Sequence, residues 1–152
     1  MPFNKHSLLL RNKRARFEYE LTSEKVEAGV SLLGIEAKSL RENRGDITQS
    51  HVKIMNGEAF LINANIPAVG IEKYNSTRIR KLLLHKKELI SLETKMKQGK
   101  LQLVPIVLYN KGRLIKLELA LGKPKRKFEK REALKKADIK RDIERELRGK
   151  DN

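Results

Sequence analysis

The sequence predicts a mainly β fold with helices: a small antiparallel β-barrel with one long inserted helix, followed by a basic C-terminal tail. Three observations predict it. Two apolar runs are folded back on themselves by short turns, Asn56-Gly57 in one case and Asn110-Lys111-Gly112 in the other. Between them, residues 76–98 are rich in leucine and lysine and contain neither Pro nor Gly. From residue 122 onward, 13 Lys or Arg face 7 Asp or Glu, a net of +6, against a net of +10 over the much longer preceding stretch. A chain of 152 residues is a single domain by length and large enough to bury a core. Residues 1–121 are therefore read as the folded body and 122–152 as a physically separate tail.

Taken in order, residues 1–14 read as a loose basic arm. Phe17 to Leu33 is strand-compatible, with Val26, Ala28, Val30 and Leu32 alternating against polar or small neighbours. Gly34 punctuates, and Ile35 to Glu42 reads as a short helix with Ile35, Lys38, Ser39 and Glu42 at helical spacing. Arg44-Gly45-Asp46 is a turn. Val52–Met55 and Glu58–Ile62 form a hairpin, because Asn-Gly supplies the two positive φ values of a type I′ turn. Pro67 and Gly70 break the chain, Ser76 or Thr77 caps the helix that runs to about Gln98, and Gly99 closes it. Leu101 to Tyr109 is a buried strand whose Pro105 points to an edge or a bulge. In Leu114 to Leu121, Lys116 and Glu118 alternate with Ile115, Leu117, Leu119 and Leu121. About five or six strands with a helix between two hairpins suit a small barrel of the oligonucleotide-binding type, and a split α+β sandwich gives much the same pattern.

Composition narrows the function. A net charge of +16 and a pI near 10.2 favour nucleic acid or an anionic membrane as partner. No apolar run approaches the roughly 18 residues that span a bilayer, so no membrane span is expected. The run Ser7-Leu8-Leu9-Leu10 is stopped by Arg11, too short for a signal-peptide core, which points to the cytoplasm. With no cysteine, disulfides, thiolate nucleophiles and zinc–thiolate sites are excluded. His6, His51 and His85 are scattered without metal-ligand spacing, so neither metal nor cofactor is expected. No carboxylate pair, Ser/His/Asp set or Gly-rich phosphate loop stands out. Binding is the favoured reading. A small ribonuclease using His85 or His51 with Glu27, and a basic protein fixed permanently in the ribosome, are the competing ones.

The stretch from Arg78 to Leu89 joins fold to partner most directly. As a helix, it places Ile79, Leu82, Leu83, Leu89 and Ile90 on one arc, the core stripe. Arg80, Lys81, His85 and Lys87 fall elsewhere and offer phosphate contacts, while Leu84 projects among Arg80, Lys81 and Glu88. There it suits a ribose or a splayed base; a solvated charged face around one exposed leucine is the plainer account. The run Asn12-Lys13-Arg14-Ala15-Arg16 lies beside Phe17 and Tyr19, a combination that suits unstacked bases or simply a solubilising arm. Lys38 and Arg41 share a helix face able to grip successive phosphates. Glu27 stands alone and by default is an exposed salt-bridge partner. In the tail, Gly122-Lys123-Pro124-Lys125-Arg126-Lys127 has nothing to bury and is expected to be mobile. From Arg131 onward, Leu134, Ile139, Ile143 and Leu147 draw a thin apolar line along a helix-favouring segment, and such a helix alone is marginal in water. The tail is expected to be disordered when free and helical when bound.

Five segments occur in an order and spacing that are no longer generic: Asn12-Lys13-Arg14-Ala15-Arg16, Glu27-Ala28-Gly29-Val30, Gly34-Ile35-Glu36-Ala37-Lys38-Ser39-Leu40-Arg41, Asn56-Gly57-Glu58-Ala59-Phe60-Leu61 and Arg78-Ile79-Arg80-Lys81-Leu82-Leu83-Leu84-His85-Lys86. Together, over about residues 12–148, they resemble the bacterial SsrA-binding protein (small protein B) family, partners of transfer-messenger RNA in rescuing stalled ribosomes. The resemblance implies an oligonucleotide-binding-type barrel that grips the elbow of that RNA's tRNA-like domain. The body would stand in for a missing anticodon arm in the small-subunit decoding region of the ribosome. The basic tail would become helical in the empty mRNA channel. Carried over by motif, Glu27, Leu83 and His85 match positions implicated in RNA binding; Ser39 of the Lys-Ser-Leu-Arg segment is a further candidate RNA contact. His85 stands where some relatives have Asn, which implies hydrogen bonding rather than protonation. Gly122-Lys123-Pro124-Lys125 aligns with the family's Gly-Lys-Lys start to the tail, with Pro124 as an addition. Arg126, Lys127, Phe128, Lys130 and Arg131 then continue the ribosome-binding segment, Phe128 replacing the usual Tyr or His. Residues 65–77 keep little of the family's loop. The helical wheel thus selects Leu84 as the apolar contact, and the resemblance selects Leu83.

Overall fold

Asn56 and Gly57 take φ values of 52° and 74°, the pair of positive angles that a type I′ turn requires. They fold β3 (His51–Met55) onto β4 (Glu58–Ile62) with Met55 opposite Glu58. The computed structural model of the chain describes residues 6–68, 70–71 and 73–150. Around this hairpin it places β1 (His6–Arg11), α1 (Ala15–Glu18), β2 (Tyr19–Val30), α2 (Gly34–Arg41), β5 (Arg80–Leu83), α3 (Lys86–Gly99), β6 (Gln102–Lys111), β7 (Leu114–Pro124) and α4 (Lys127–Lys150). Seven antiparallel strands follow the order β1-β6-β7-β2-β5-β4-β3.

The sheet is open rather than the closed barrel expected. Among the described residues β1 pairs only with β6, and β3 only with β4, so the two end strands do not meet. Residues 6–11 also correct the expectation of a loose arm, while residues 1–5 of that arm lie outside the described residues. Leu9 is buried and Leu8 exposed, the alternation of an edge strand with one face on a core. Pro105 marks a bulge: the register of β6 against β7 shifts between Pro105 and Val107. The Pro105 carbonyl, freed from the ladder, accepts Asn12 Nδ2 at 2.8 Å, and the Ile106 carbonyl accepts the Asn12 amide at 2.8 Å.

The largest correction concerns residues 76–98. Arg80–Leu83 is a strand, not helix: Ala59, Phe60 and Leu61 of β4 face Leu82, Lys81 and Arg80, and Gly29 and Val30 of β2 face Leu83 and Leu82. Burial follows the two-residue period of a strand. Arg80 and Leu82 are buried, Lys81 and Leu83 exposed. Only at Lys86 does α3 begin, with His85 as its N-cap; it ends at Gly99, and Lys100 takes the left-handed conformation at φ 51°. Leu89 and Leu92 turn inward from α3, whereas Ile79 and Ile90, assigned to the core stripe, are exposed. Leu40, Ile47, Leu61, Ile66, Leu108, Leu117 and Leu119 lie in one buried core cluster, each contributing roughly 1.5–3 kcal/mol relative to exposure.

A strand at 80–83 turns Arg80 inward, and the fold answers with Glu36 of α2. Both side chains are fully buried. Glu36 Oε2 accepts Arg80 Nε at 2.9 Å, Arg80 Nη2 at 2.6 Å and the Tyr74 hydroxyl at 2.6 Å, while Oε1 accepts Arg78 Nη2 at 2.5 Å and the Leu33 amide at 2.8 Å. The rest of the Arg80 fork is spent on carbonyls: Nη1 donates to Ala64 at 2.8 Å and Arg78 at 3.1 Å, Nη2 to Ser76 at 3.0 Å. Burial pushes the Glu36 carboxyl up, but hydrogen bonds from Arg78, Tyr74, the Leu33 amide and Arg80 outweigh it and hold it at about 2. Arg80 is therefore an internal brace between α2, β5 and the loop before it, not the phosphate contact read from the sequence.

The boundary between body and tail also moves. β7 continues through Pro124, with Leu21, Glu20 and Tyr19 of β2 facing Gly122, Lys123 and Pro124. Gly122 is buried, and a Cβ there would lie 3.0 Å from Leu21 Cδ2, 3.2 Å from Tyr19 Cβ and 3.3 Å from Val104 Cγ2. Lys125 is tied twice to α1, its amide donating to the Glu18 carbonyl at 2.9 Å and its Nζ to the Arg16 carbonyl at 2.8 Å. Residues 122–125, expected to be mobile, are part of the body. Beyond them α4 starts at Lys127, ahead of the Arg131 start expected, and Leu134, Ile139, Ile143 and Leu147 along it are all exposed.

Candidate nucleic-acid interface

The outward face of β2 and β7 carries alternating charge: Lys25 and Glu27 on one strand, Lys116 and Glu118 on the other. Register sets Glu27 directly opposite Glu118, a like-charge pair that is unfavourable unless countered. Lys25 Nζ lies 3.5 Å from Glu118 Oε1. Lys111 Nζ donates to Glu27 at 3.1 Å and 3.3 Å, and the Tyr109 hydroxyl, reaching from β6, also donates to Glu27. The Tyr109 hydrogen bond is the largest influence holding the Glu27 carboxyl below its ordinary range, with Lys111 and Lys116 adding to it against partial desolvation. Burial, then Glu27, pushes the Tyr109 phenol up. Glu27 is thus an ionised carboxylate set among cations.

Three adjoining grooves cross this face. One, of about 650 Å³, is walled by Leu83, Leu84 and His85 from the β5–α3 junction and floored by Lys25, Glu27 and Lys116. The next, about 510 Å³, shares Lys25 and Glu27 and adds Arg11 and Tyr109. The last, about 990 Å³, runs past Lys25 to Arg16, Phe17, Tyr19 and Lys125. Cations with interleaved aromatic and aliphatic side chains are what an RNA-binding surface needs: phosphate neutralisation for affinity, apolar platforms for ribose or base. Among the described residues no cluster of three His, Cys, Asp or Glu is placed to hold a metal ion, and no helix is long and apolar enough to cross a membrane.

A model of the SmpB protein family matches residues 9–149. The chain belongs to the SmpB family. It is 47% identical to the SsrA-binding protein of Sulfurihydrogenibium sp. (strain YO3AOP1), covering 91% of this chain and 93% of that one. It is 42% identical to the SsrA-binding protein of Zymomonas mobilis, covering 97% and 94%. A chain of a solved structure described as "tmRNA-SmpB: a journey to the center of the bacterial ribosome" is 39% identical and superposes with a TM-score of 0.65, covering 84% of this chain and 95% of its own length.

The fold of this SmpB-family chain brings only part of the sequence-derived site together. Glu27, Leu83, Leu84 and His85 converge on one groove, and Asn12, Lys13, Arg16 and Lys125 line another. Leu83 is 57% exposed, whereas Leu84 is half-buried and packs on the core, so of the two leucines lining this groove the extended backbone leaves Leu83 the more open. Gly29 makes this possible: a Cβ there would stand 3.2 Å from Leu83 Cβ. The His85 side chain is 90% exposed with Nε2 3.9 Å from Glu88 Oε1, too far for a hydrogen bond and open to a partner. Asn12 is buried, and its side-chain amide donates to the Pro105 carbonyl at the β6 bulge.

Lys38, Ser39, Arg41, Arg78, Arg80 and Lys81 line none of the three grooves. Ser39 is buried beside Leu40. Arg41 Nη2 donates to the Arg113 carbonyl at 3.0 Å, Arg78 is paired with Glu36, Lys81 with Glu58 at 3.1 Å, and Arg14 with Glu18 at 3.3 Å. Lys38, Lys123, Arg126 and Arg131 are exposed. The side chains of Lys127, Phe128 and Lys130 lie outside the described residues. Sequence reasoning passed over Lys25, Tyr109, Lys111 and Lys116 as site residues. The signal was the strand alternation itself, which puts Lys25 beside Glu27 and Lys116 beside Glu118 on one face.

Proposed function

We propose that this chain binds the tRNA-like domain of transfer-messenger RNA and delivers it to stalled ribosomes. Its body occupies the small-subunit decoding region and its basic tail senses an empty mRNA channel. The observation that carries the reading is the family match over nearly the whole chain, shared with relatives named for binding SsrA. The physical support is a continuous grooved face with Arg11, Arg16, Lys25, Lys116 and Lys125 along it, suited to a folded RNA read by shape. The protein acts by binding, without turnover, in the cytoplasm, and the open sheet serves as the oligonucleotide-binding platform. The tail is disordered when free and helical when bound. Leu134, Ile139, Ile143 and Leu147 are each about half exposed, so tertiary burial gives little of the support that most protein helices depend on.

Two measurements test this. The full chain should bind the isolated tRNA-like domain in preference to ordinary tRNA, with affinity falling steeply as salt rises. Removal of residues 127–152, which leaves the Lys125 anchor in place, should leave that affinity nearly intact and abolish peptide tagging on stalled ribosomes. Loss of RNA binding in the truncated protein would overturn the division of labour between body and tail. Amide exchange protection throughout residues 127–148 of the free protein would overturn the disordered tail.

A further inference from the structure

A carboxylate in the middle of a phosphate-binding face needs a reason. Glu27 lies on the ridge shared by two of the grooves, where a negative charge repels every phosphate nearby. It is nevertheless held ionised and fixed: Tyr109 and Lys111 both donate to Oε2, and Lys111 also donates to Oε1. A carboxylate has about four acceptor positions, so capacity remains on the Oε1 side, and the side chain keeps 34% of its surface exposed. An anion so placed favours groups that donate a hydrogen bond without carrying negative charge. On RNA those are the base-edge donors, above all the amino group of cytosine and the N–H donors of guanine, together with the ribose 2′-hydroxyl; of these only the base donors distinguish one nucleotide from another.

We infer that Tyr109 is a positioning residue, which with Lys111 aims the Glu27 carboxylate at an N–H donor on an unpaired base of the bound RNA, so that this one point of the face reads a base while its cations hold phosphate. The geometry gives the parts distinct tasks. Tyr109 comes from β6, two strands away from β2, and its hydroxyl spans β7 to reach the carboxylate. Its rigid ring restricts Glu27 to one rotamer at lower entropic cost than a second lysine, and its phenol adds no charge to the face. Leu83, 57% exposed across the same groove, supplies an apolar wall for a base held there.

The inference rests on the RNA-binding reading above, and a double-mutant cycle with the tRNA-like domain of transfer-messenger RNA separates the two. If the wild-type chain fails to bind that RNA, the functional reading fails; the inference is decided by variants of a chain that binds. Glu27→Gln should weaken binding about tenfold, the size of one well-made base contact, with the slope of log K against log salt unchanged because no phosphate contact is lost. Tyr109→Phe should weaken it several-fold in the wild-type background and not at all in the Glu27→Gln background. The same loss in both backgrounds would mean that Tyr109 touches the RNA itself, and no loss in either would leave it without a positioning role; both overturn the inference. Tighter binding by Glu27→Gln would show that the carboxylate only repels, and would overturn it too. Should Tyr109→Phe disturb the fold, as read by its thermal midpoint, Lys111→Met carries the same cycle. There the salt slope also falls if Lys111 holds phosphate, while the coupling to Glu27 persists if it positions.

Discussion

Arg80→Met separates a structural arginine from an RNA-binding one. The residue is fully buried, and its guanidinium is spent on Glu36, Tyr74 and the carbonyls of Ala64, Arg78 and Ser76. Methionine keeps much of the aliphatic stem and removes every donor, so a buried Glu36 remains with Arg78 as its one cation. Breaking a buried pair from one side costs about 3–5 kcal/mol. A second route gives a similar size: holding the Glu36 carboxyl from an ordinary 4.5 down to about 2 corresponds to about 3 kcal/mol at neutral pH, shared among all its partners. Against a domain stability of about 5–15 kcal/mol, that is a large fraction. With a urea dependence of about 2 kcal/mol per molar, the unfolding midpoint followed by circular dichroism should fall by about 2 M. The variant, where still folded, should bind RNA with an unaltered salt slope. An unchanged midpoint together with a salt slope reduced by about one would refute the reasoning and return Arg80 to the phosphate-binding set.

The same cluster predicts a pH dependence. Because the folded Glu36 carboxyl is depressed to about 2, its contribution is complete above about pH 4.5 and is lost as pH falls toward 2; urea midpoints across that range should show it, and Glu36→Gln should flatten the decline. Leu83→Glu, at an exposed strand position, should change stability by no more than about 0.5 kcal/mol yet weaken RNA binding about tenfold or more through lost apolar contact and added repulsion, as read by fluorescence anisotropy. Gly122→Ala should destabilise by about 1–3 kcal/mol, seen as a lower thermal midpoint, because its Cβ meets Leu21, Tyr19 and Val104 at 3.0–3.3 Å.

Local chemistry made part of this molecule legible and long-range pairing hid the rest. Asn56-Gly57 and the glycine of Asn110-Lys111-Gly112 announced their hairpins because the turn residues need no distant partner; the β6–β7 turn itself is Gly112 and Arg113, with Gly112 at φ 63°, while Asn110 and Lys111 stay in the strand. α2 was equally plain. The run Ile79-Arg80-Lys81-Leu82-Leu83-Leu84 satisfies a helical and a strand period at once, and the tie is broken by an inward arginine that hydropathy counts as outward. Glu36 is the missing clue: without it Arg80 has no reason to be inside. β1 was lost for a similar cause, since its partners in β6 lie about a hundred residues further along and contribute nothing to local pattern. Within the site, Glu27 was visible only through the family resemblance, and Tyr109 not at all. Their meeting depends on three strands of sheet order that no spacing rule supplies.

The double tie of Lys125 to the Glu18 and Arg16 carbonyls has a mechanical consequence. A tail tethered by a slack linker would wander through a sphere, and its capture by a distant channel would depend on chance concentration. Fixed at Lys125, the chain pivots from one point on the RNA-binding body. The 24 residues of α4 measure about 36 Å as a helix. Because its base is held at Lys125, that length and not the slack of a linker sets how far from the body its exposed charged residues can be carried.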